Sequence, residues 1–219
     1  LIFNTGYHGQ TGEDNLDRNI CQQAIKLMRG VCRMFRSQAD SLALLSLMLF
    51  IEARFPARGV SEIVTLEQQD RKLWKQGQIQ QADILLQKSL KLGEVSAYSV
   101  QSAIAAVHST ATEFEQTDWQ QIVFLYNKLM QYQPSPVVLL NKAAAYLMLK
   151  QLDKVDELLQ EIEPALINYA AFYTVKAQYY LQLEQVLKAK QMFQKAVDVS
   201  DNKAEQAYLL KELKNIGKN

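Results

Sequence analysis

The sequence is poor in cysteine, proline and glycine, and each shortage excludes a class of protein. The 219 residues include 2 Cys, 4 Pro and 8 Gly, and 48% are apolar, which excludes a disordered or fibrous chain. Cys21 and Cys32 lie on what reads as one helix, where a rise of about 1.5 Å per residue separates them by roughly 16 Å, too far for a disulfide. We therefore expect reduced core thiols in a cytosolic protein.

Neither an excess of charge nor a long apolar run is present. The net charge is +1, so nothing in the composition marks a nucleic-acid-binding protein, and any DNA contact would need a local patch or other parts of the protein. The longest apolar run, Leu42 to Ile51, is about half of a membrane span, and no signal peptide opens the chain. Because the first residue is Leu1 rather than Met, we expect a piece of a longer protein. The reduced cysteines and the short apolar run predict that this protein is cytoplasmic and does not contact a membrane.

The motifs that carry catalysis are also missing. Gly6, Gly9 and Gly12 are spaced loosely like a phosphate loop, but no Gly-Lys-Ser/Thr follows them. His8 and His108 have no cysteine or carboxylate at metal-ligand spacing. We expect no enzymatic activity and no catalytic, cofactor or metal site.

What the sequence does contain is a repeat with a period of 34 residues. Small residues, Ala143 and Ala177, stand where two helices must approach closely, and Tyr146 and Tyr180 follow three residues later. A period of this length indicates paired helices of the tetratricopeptide type, which stack into a surface that binds another molecule. The recurring pairs are Lys142/Lys176, Ala143/Ala177, Tyr146/Tyr180, Leu147/Leu181, Leu149/Leu183, Gln151/Gln185 and Lys154/Lys188.

The second helix of each pair has its own pattern. In the later copy, Ala189, Phe193 and Ala196 occupy the small, large and small positions. The earlier copy has looser equivalents, which are Val155, Leu159 and Ile162.

Hydrophobic spacing elsewhere predicts helices throughout and no sheet. The stretch from residue 40 or 41 to 51 is apolar on nearly every side and predicts a buried central helix. Ser135 and Pro136 are a favourable N-cap and first-turn residue for a later helix. The other predicted helices begin at residue 13 or 14 and cover about 68–92, 96–112 and 119–132. The predicted fold is all-α, an α-α superhelix of antiparallel, tetratricopeptide-like helix pairs over residues 94–219 with a helical cap over residues 1–93.

Two segments of the cap are candidate contact surfaces. Gln69–Trp74 combines a carboxylate, two cations and a tryptophan in the first turns of a predicted helix. Either Asp70 complements the helix dipole while Trp74 anchors the cap on the repeats, or the segment contacts a partner. The first helix carries a basic stripe that is either a solvated face or a docking surface for phosphate or protein, namely Lys26, Arg29, Arg33 and Arg36.

The groove of the repeats is predicted to be mostly apolar. Such a groove suits another helix or an internal segment of the polypeptide better than a peptide carboxylate. Its predicted lining residues are Leu140, Asn141, Ala144, Leu147 and Met148.

Several short motifs occur in a fixed order along the chain. They are LIFNTGY at residues 1–7, CQQAIKLMR, LALLSLMLF followed by EARFPAR, QDRKLW, SVQSAIAAVHS, TDW and PSPVVLLNKAAA. In this order the set resembles the C-terminal tetratricopeptide-like extension of bacterial alternative sigma factors of the extracytoplasmic-function type. The resemblance covers essentially all 219 residues, although the family usually has an acidic residue where Thr5 stands.

The resemblance implies a role in transcription initiation. The domain is expected to regulate its sigma factor by docking on the factor's own DNA-binding domains or on the core RNA polymerase, with promoter DNA contacted only through domains outside this chain. The alternative is a free-standing helical-repeat scaffold that binds an unrelated protein or peptide. The favoured contact residues are Asn4, Gly6, Tyr7, Asp70, Arg71, Trp74 and Asn141.

Overall fold

The computed structural model describes residues 14–35, 38–58, 63–93 and 95–216, with side chains from residue 19 onward. Within these ranges the chain is all-helical and contains no strand, which confirms the predicted fold class at that level. It divides into two compact units, Leu1–Asp118 and Trp119–Asn219. The ten α-helices of the described ranges are α1 (Asp14–Met34), α2 (Ala39–Ala53), α3 (Gln76–Leu92), α4 (Ala97–Thr110), α5 (Trp119–Tyr132), α6 (Pro136–Met148), α7 (Leu152–Leu166), α8 (Ala170–Gln182), α9 (Val186–Val199) and α10 (Lys203–Asn215). None of them is long and apolar enough to cross a bilayer.

The first unit is built around α2, which packs against α1, α3 and α4. Its apolar residues surround the helix axis, so the consecutive residues Met48, Leu49 and Phe50 are all buried although they point in different directions. The prediction of a central buried helix is confirmed. Trp74 and Ile79 complete the same core from outside α2.

Two buried serines allow three of these helices to meet closely. Ser102 of α4 donates a hydrogen bond to the Ser46 hydroxyl of α2 over 2.8 Å. Ser46 donates in turn to the Ala82 carbonyl of α3 over 2.6 Å. Each hydroxyl is therefore satisfied in the core, where an unpartnered one would destabilise the fold.

The helix expected to begin near Gln68 begins only at Gln76, so that prediction is wrong over its first two turns. Residues 71–73 form a 3-10 helix, and Trp74 is extended with φ −70° and ψ 138°. The backbone N–H of Lys75 donates to the Ala53 carbonyl at the end of α2 over 3.0 Å. Tertiary contacts thus override a segment whose composition suits a helix. In a helix from Gln68 the Leu73 side chain would face the core, but in the turn it is 52% exposed.

The second unit consists of successive packed helix pairs. α6 packs against α7, α8 packs against α9, and α6 also packs against α8. Ala143 and Ala177, predicted at sites of close helix approach, have no exposed surface. The predicted second-helix positions are all buried as well, namely Val155, Leu159, Ile162, Ala189, Phe193 and Ala196.

The turns after α6 and α8 have the same geometry. Lys150 and Glu184, which are 34 residues apart, adopt the left-handed conformation with φ 55° and φ 58°. The next residue in each turn donates its N–H to the carbonyl of the tyrosine five residues earlier, at 3.1 Å for Gln151 and 2.8 Å for Gln185. The 34-residue period of the sequence is therefore also a period of the backbone at this corner.

Helix α4 belongs to the first compact unit, because it packs against α2 and α3. The predicted division into a cap over residues 1–93 and repeats over residues 94–219 rests on where the repeat pattern begins, whereas the two compact units are defined by contacts between helices. The predicted division therefore stays a prediction.

Candidate functional site

The segment from Asp70 to Lys75 forms a tight turn that contacts the C-termini of α2 and α4 and leads into α3. Asp70 caps the 3-10 helix, since its Oδ1 accepts a hydrogen bond from the Lys72 N–H over 2.9 Å. Asp70 is exposed, whereas the Trp74 side chain is only 3% exposed and lies in the core. The turn therefore presents Asp70 to solvent and buries Trp74.

Arg71 ties this turn to the C-terminus of α4. Its Nη1 donates to the carbonyls of His108 and Ala111 over 2.7 and 2.8 Å, which satisfies acceptors that a helix end leaves without partners. Its guanidinium carbon lies 4.6 Å from the centre of the Trp74 ring, within reach of a cation–π contact. Burial lowers the pKa of Arg71, and the nearby Glu115 partly opposes that shift. The guanidinium thus has a structural function here.

Two nitrogens of the turn, Arg71 Nη2 and Trp74 Nε1, are buried without a hydrogen-bond partner among the described residues. Next to them, the pKa of His108 is lowered to about 4, chiefly by burial and further by the positive charges of Arg54 and Arg71. The imidazole is therefore neutral at neutral pH.

A second polar group lies at the end of α2. The Glu52 carboxylate is only 4% exposed and accepts a hydrogen bond from Lys75 Nζ over 2.9 Å. Gln78 Nε2 donates to the other carboxylate oxygen and to the Leu49 carbonyl, the latter over 3.2 Å. Glu52 is thus fully engaged within the unit.

A cavity of about 270 Å³ lies beside this carboxylate, between α1, α2 and α3. Arg29 of α1, at its edge, donates from Nη2 to Gln81 Oε1 over 2.9 Å. The cavity is lined by Gln22, Ile25, Lys26, Arg29, Leu49, Glu52, Lys75 and Gln78.

In the second unit, lysines lie over tyrosine rings at repeat-equivalent positions. Lys154 Nζ is 5.0 Å from the centre of the Tyr146 ring, and Lys188 Nζ is 5.3 Å from that of Tyr180. Lys142 Nζ approaches the Tyr146 ring as well, at 5.7 Å. The Lys154–Tyr146 and Lys188–Tyr180 pairs each join the first helix of a hairpin to the second, so the recurrence of these residues has a stabilising role.

The predicted apolar groove is only partly present. Asn141 is exposed, and Ala144 and Met148 are half-buried, but Leu140 and Leu147 are core residues that offer no surface. The interpretation of those two leucines as groove residues is therefore wrong. They are buried because α6 packs against several helices at once, namely α5, α7 and α8.

The structure brings together three of the favoured contact residues. Asp70, Arg71 and Trp74 share one turn of the first unit, and Asn141 belongs to the second unit. Asn4, Gly6 and Tyr7 lie outside the described residues, as does Arg36 of the basic stripe. Sequence reasoning missed the pairing of Glu52 with Lys75, although an acidic residue inside an apolar helix pattern signals a buried charge that needs a partner.

Within the described ranges, no three His, Cys, Asp or Glu side chains are close enough together to hold a metal ion. Neither Cys21 nor Cys32 forms a disulfide, and burial raises the pKa of the Cys32 thiol, which donates to the Ser41 carbonyl over 3.3 Å.

Comparison with known proteins gives two matches. Residues 1–90 match the model of a family of unknown function (DUF6596). An uncharacterized protein of Rhizobium meliloti (strain 1021) is 32% identical over 220 residues. That alignment takes in 99% of this chain and 52% of the relative, so the chain spans about half of the relative's length.

Proposed function

We propose that the chain is the regulatory C-terminal domain of a bacterial alternative sigma factor of the extracytoplasmic-function type. The observation that carries this proposal is the ordered set of motifs that spans the chain. The Rhizobium relative supports it in one respect, since nearly half of that protein lies outside the aligned part and has room for further domains. In this proposal the domain is cytoplasmic and acts in transcription initiation.

Tetratricopeptide-like packing of the second unit is part of the same proposal. Its support is the recurrence at 34 residues of the buried alanines, the left-handed corner residues and the lysine–tyrosine contacts. Packing of α6 against α8, the first helices of successive pairs, also agrees with such an array.

The proposed contact surface on the first unit centres on Asp70. Asp70 and Leu73 are exposed on the turn, while Arg71 and Trp74 hold the turn against α4 and the core. A rigid turn with one carboxylate and one apolar side chain is suited to a basic, partly apolar surface of the sigma domains or the core polymerase. Arg71 and Trp74 act in this proposal by positioning Asp70 and Leu73.

The test joins the chain to its natural upstream region and measures promoter-dependent transcription. Asp70→Ser keeps a side chain that can cap the 3-10 helix and removes the charge. We expect this change to reduce transcription several-fold while the melting temperature stays unchanged. Glu67→Ser, at an exposed acidic residue of the preceding turn, is the matched control and is expected to be neutral. Wild-type transcription from Asp70→Ser together with Leu73→Ser would reject this contact surface.

The second candidate function is a free-standing scaffold that binds an unrelated protein or peptide. The exposed Asn141 on α6, next to the lysine–tyrosine pairs, favours it, because polar side chains on the first helices of such arrays commonly contact peptides. The coding sequence upstream of Leu1 discriminates the two functions. An in-frame pair of helical DNA-binding domains supports the sigma factor, and a start codon close to Leu1 supports the scaffold.

A further inference from the structure

Helix α1 carries three stripes of different character. Residues three and four apart on a helix share a face, and by this rule Cys21 and Ile25 belong to the buried face that packs on the core. A basic stripe follows around the helix, which consists of Lys26, Arg29 and Arg33. The remaining face is apolar again, with Leu27, Val31 and Met34. We name this third stripe, together with Gly30, the outer face of α1.

None of the residues that the structure describes covers the outer face. Leu27 is 62% exposed and Met34 is 76% exposed, and Val31 beside them is exposed as well. Together with Gln23, Lys26 and Gly30, these residues line a groove of about 570 Å³. An apolar groove at regular helical spacing, with cations along one edge, is typical of a surface that receives an amphipathic helix.

Gly30 lies in the middle of this groove. A glycine inside a helix lowers its stability relative to alanine, so a packing reason is expected for it. The described residues of the unit provide none, because a Cβ built on Gly30 meets none of their atoms within 4 Å. The bare backbone instead leaves room for a partner's side chain to approach α1 closely.

The charge pattern decides what kind of partner fits. Lys26 lines the groove and the exposed Arg33 follows on the same stripe, whereas the half-buried Arg29 bonds to Gln81. From residue 19, where its side chains are first described, α1 has no acidic side chain to neutralise these cations. An antiparallel pairing of two α1 helices about a two-fold axis would set these cations against the same cations of the second copy. Nucleic acid would use the cations but would leave Leu27 and Met34 in water. An acidic, apolar helix satisfies both stripes.

We propose that the outer face of α1 binds an amphipathic helix of a protein partner, whose apolar residues fill the groove and whose carboxylates pair with the basic stripe. This docking surface is separate from the Asp70 turn, and it does not depend on the assignment to transcription. Failure of one proposal therefore leaves the other standing.

The experiment uses the whole chain and a synthetic amphipathic helix, with leucines on one face and glutamates along its edge, as a fluorescent probe. A second probe has lysines in place of the glutamates. We expect saturable binding of the glutamate probe, weakened by added salt, and no binding of the lysine probe. Gly30→Trp fills the groove and is expected to weaken binding at least about tenfold. Gly77→Trp, at a glycine of α3 whose Cβ also meets no atom within 4 Å, is the matched control.

A charge-reversal pair keeps the test decisive if Gly30→Trp does not fold. Lys26→Glu combined with Arg33→Glu is expected to lose the glutamate probe and to gain the lysine probe. The proposal is overturned if the glutamate probe does not bind, or if it binds the wild type and both variants equally. It is also overturned if the chain prefers short duplex DNA or phosphatidylglycerol vesicles, or if Gly30→Trp dissolves a dimer of the chain.

Discussion

Arg71 and Trp74 face each other across a 3-10 turn, with the guanidinium carbon 4.6 Å from the centre of the indole ring. The same guanidinium closes the C-terminus of α4 through the carbonyls of His108 and Ala111. One cation thus fixes the position of the turn, the tryptophan and a helix end. The stability of the first unit should depend on Arg71 more than on Lys72, the exposed cation next to it in the turn.

Replacing Arg71 by Met tests this dependence. The change keeps the apolar stem but removes both hydrogen bonds, and we expect the free energy of unfolding of the first unit to fall by about 2 kcal/mol. Lys72→Met, at the exposed neighbouring cation, should change it by less than about 0.5 kcal/mol. The measurement is urea denaturation followed by tryptophan fluorescence in a Trp119→Phe background, where Trp74 alone reports on the first unit. Equal effects of the two substitutions would show that the helix-end contacts contribute nothing.

His108 predicts a dependence of stability on pH. Its pKa is about 4 in the folded protein, against about 6.5 in the unfolded chain, so the unfolded chain takes up a proton first as the pH falls. Stability is therefore fully present above about pH 6.5 and decreases towards pH 4, by about 3 kcal/mol over that window. Urea denaturation of wild type and His108→Gln over this range isolates the contribution, because the carboxylates titrate in both.

Nuclear magnetic resonance provides a direct check on the same residue. The imidazole resonance of His108 should titrate near pH 4, and Arg71→Met should move this midpoint upward, because one of the two cations that lower the pKa is removed. A midpoint near the ordinary histidine value in the folded wild type would contradict the burial of the ring.

Lys75 and Glu52 should be energetically coupled. Lys75→Met leaves a buried carboxylate whose one remaining side-chain partner among the described residues is Gln78, and we expect a loss of about 2–4 kcal/mol in the free energy of unfolding. Glu52→Gln combined with Lys75→Met should lose less than the sum of the two single changes, with a coupling of at least about 1 kcal/mol in a double-mutant cycle. Strict additivity of the two changes would mean that the ion pair itself contributes nothing to the free energy of unfolding and that each side chain acts only through its own packing.

The two left-handed corners predict a pair of matched stabilising substitutions. Glycine adopts a φ near +55° without the strain that Lys150 and Glu184 carry, so Lys150→Gly and Glu184→Gly should each raise the free energy of unfolding by about 0.5–1 kcal/mol. The strain relieved in the folded state exceeds the entropy that glycine adds to the unfolded chain.

Thermal unfolding measures this pair of changes. Gln194→Gly, at an exposed position inside α9, is the control and should be destabilising by about 1 kcal/mol. Opposite signs at the two corners would contradict their structural equivalence.

The sequence predicted those features of the fold that local chemistry decides. Ser135, predicted as an N-cap, accepts the backbone N–H of Val137 at the start of α6. Ala143 and Ala177 were correctly predicted to be buried at close helix contacts, because a small side chain that recurs at this spacing allows two helices to approach closely. Periodicity and capping were sufficient for these elements.

The features of the fold and the site that the sequence did not predict depend on contacts between residues far apart in the chain. The stretch from Gln68 to Lys75 has a helical composition, but bonds to Ala53 and to the end of α4 hold it in a turn. Likewise, the spacing of Leu27, Val31 and Met34 marks an apolar stripe without showing whether a neighbouring helix covers it. Of the candidate contacts, the exposed Asp70 was foreseeable, whereas the burial of Trp74 follows from the core it enters.

The matching corners at Lys150 and Glu184 also bear on how a gene encoding such a chain can change. Removing residues 151–184 would connect Lys150 directly to Gln185, and α6 would then be followed by α9 through a bend of unaltered shape, with Lys188 taking the place of Lys154 beside Tyr146. A second copy of residues 151–184 would likewise be connected at both of its ends through a bend of the same shape. Recombination can thus shorten or lengthen this region in whole steps without inventing a new junction.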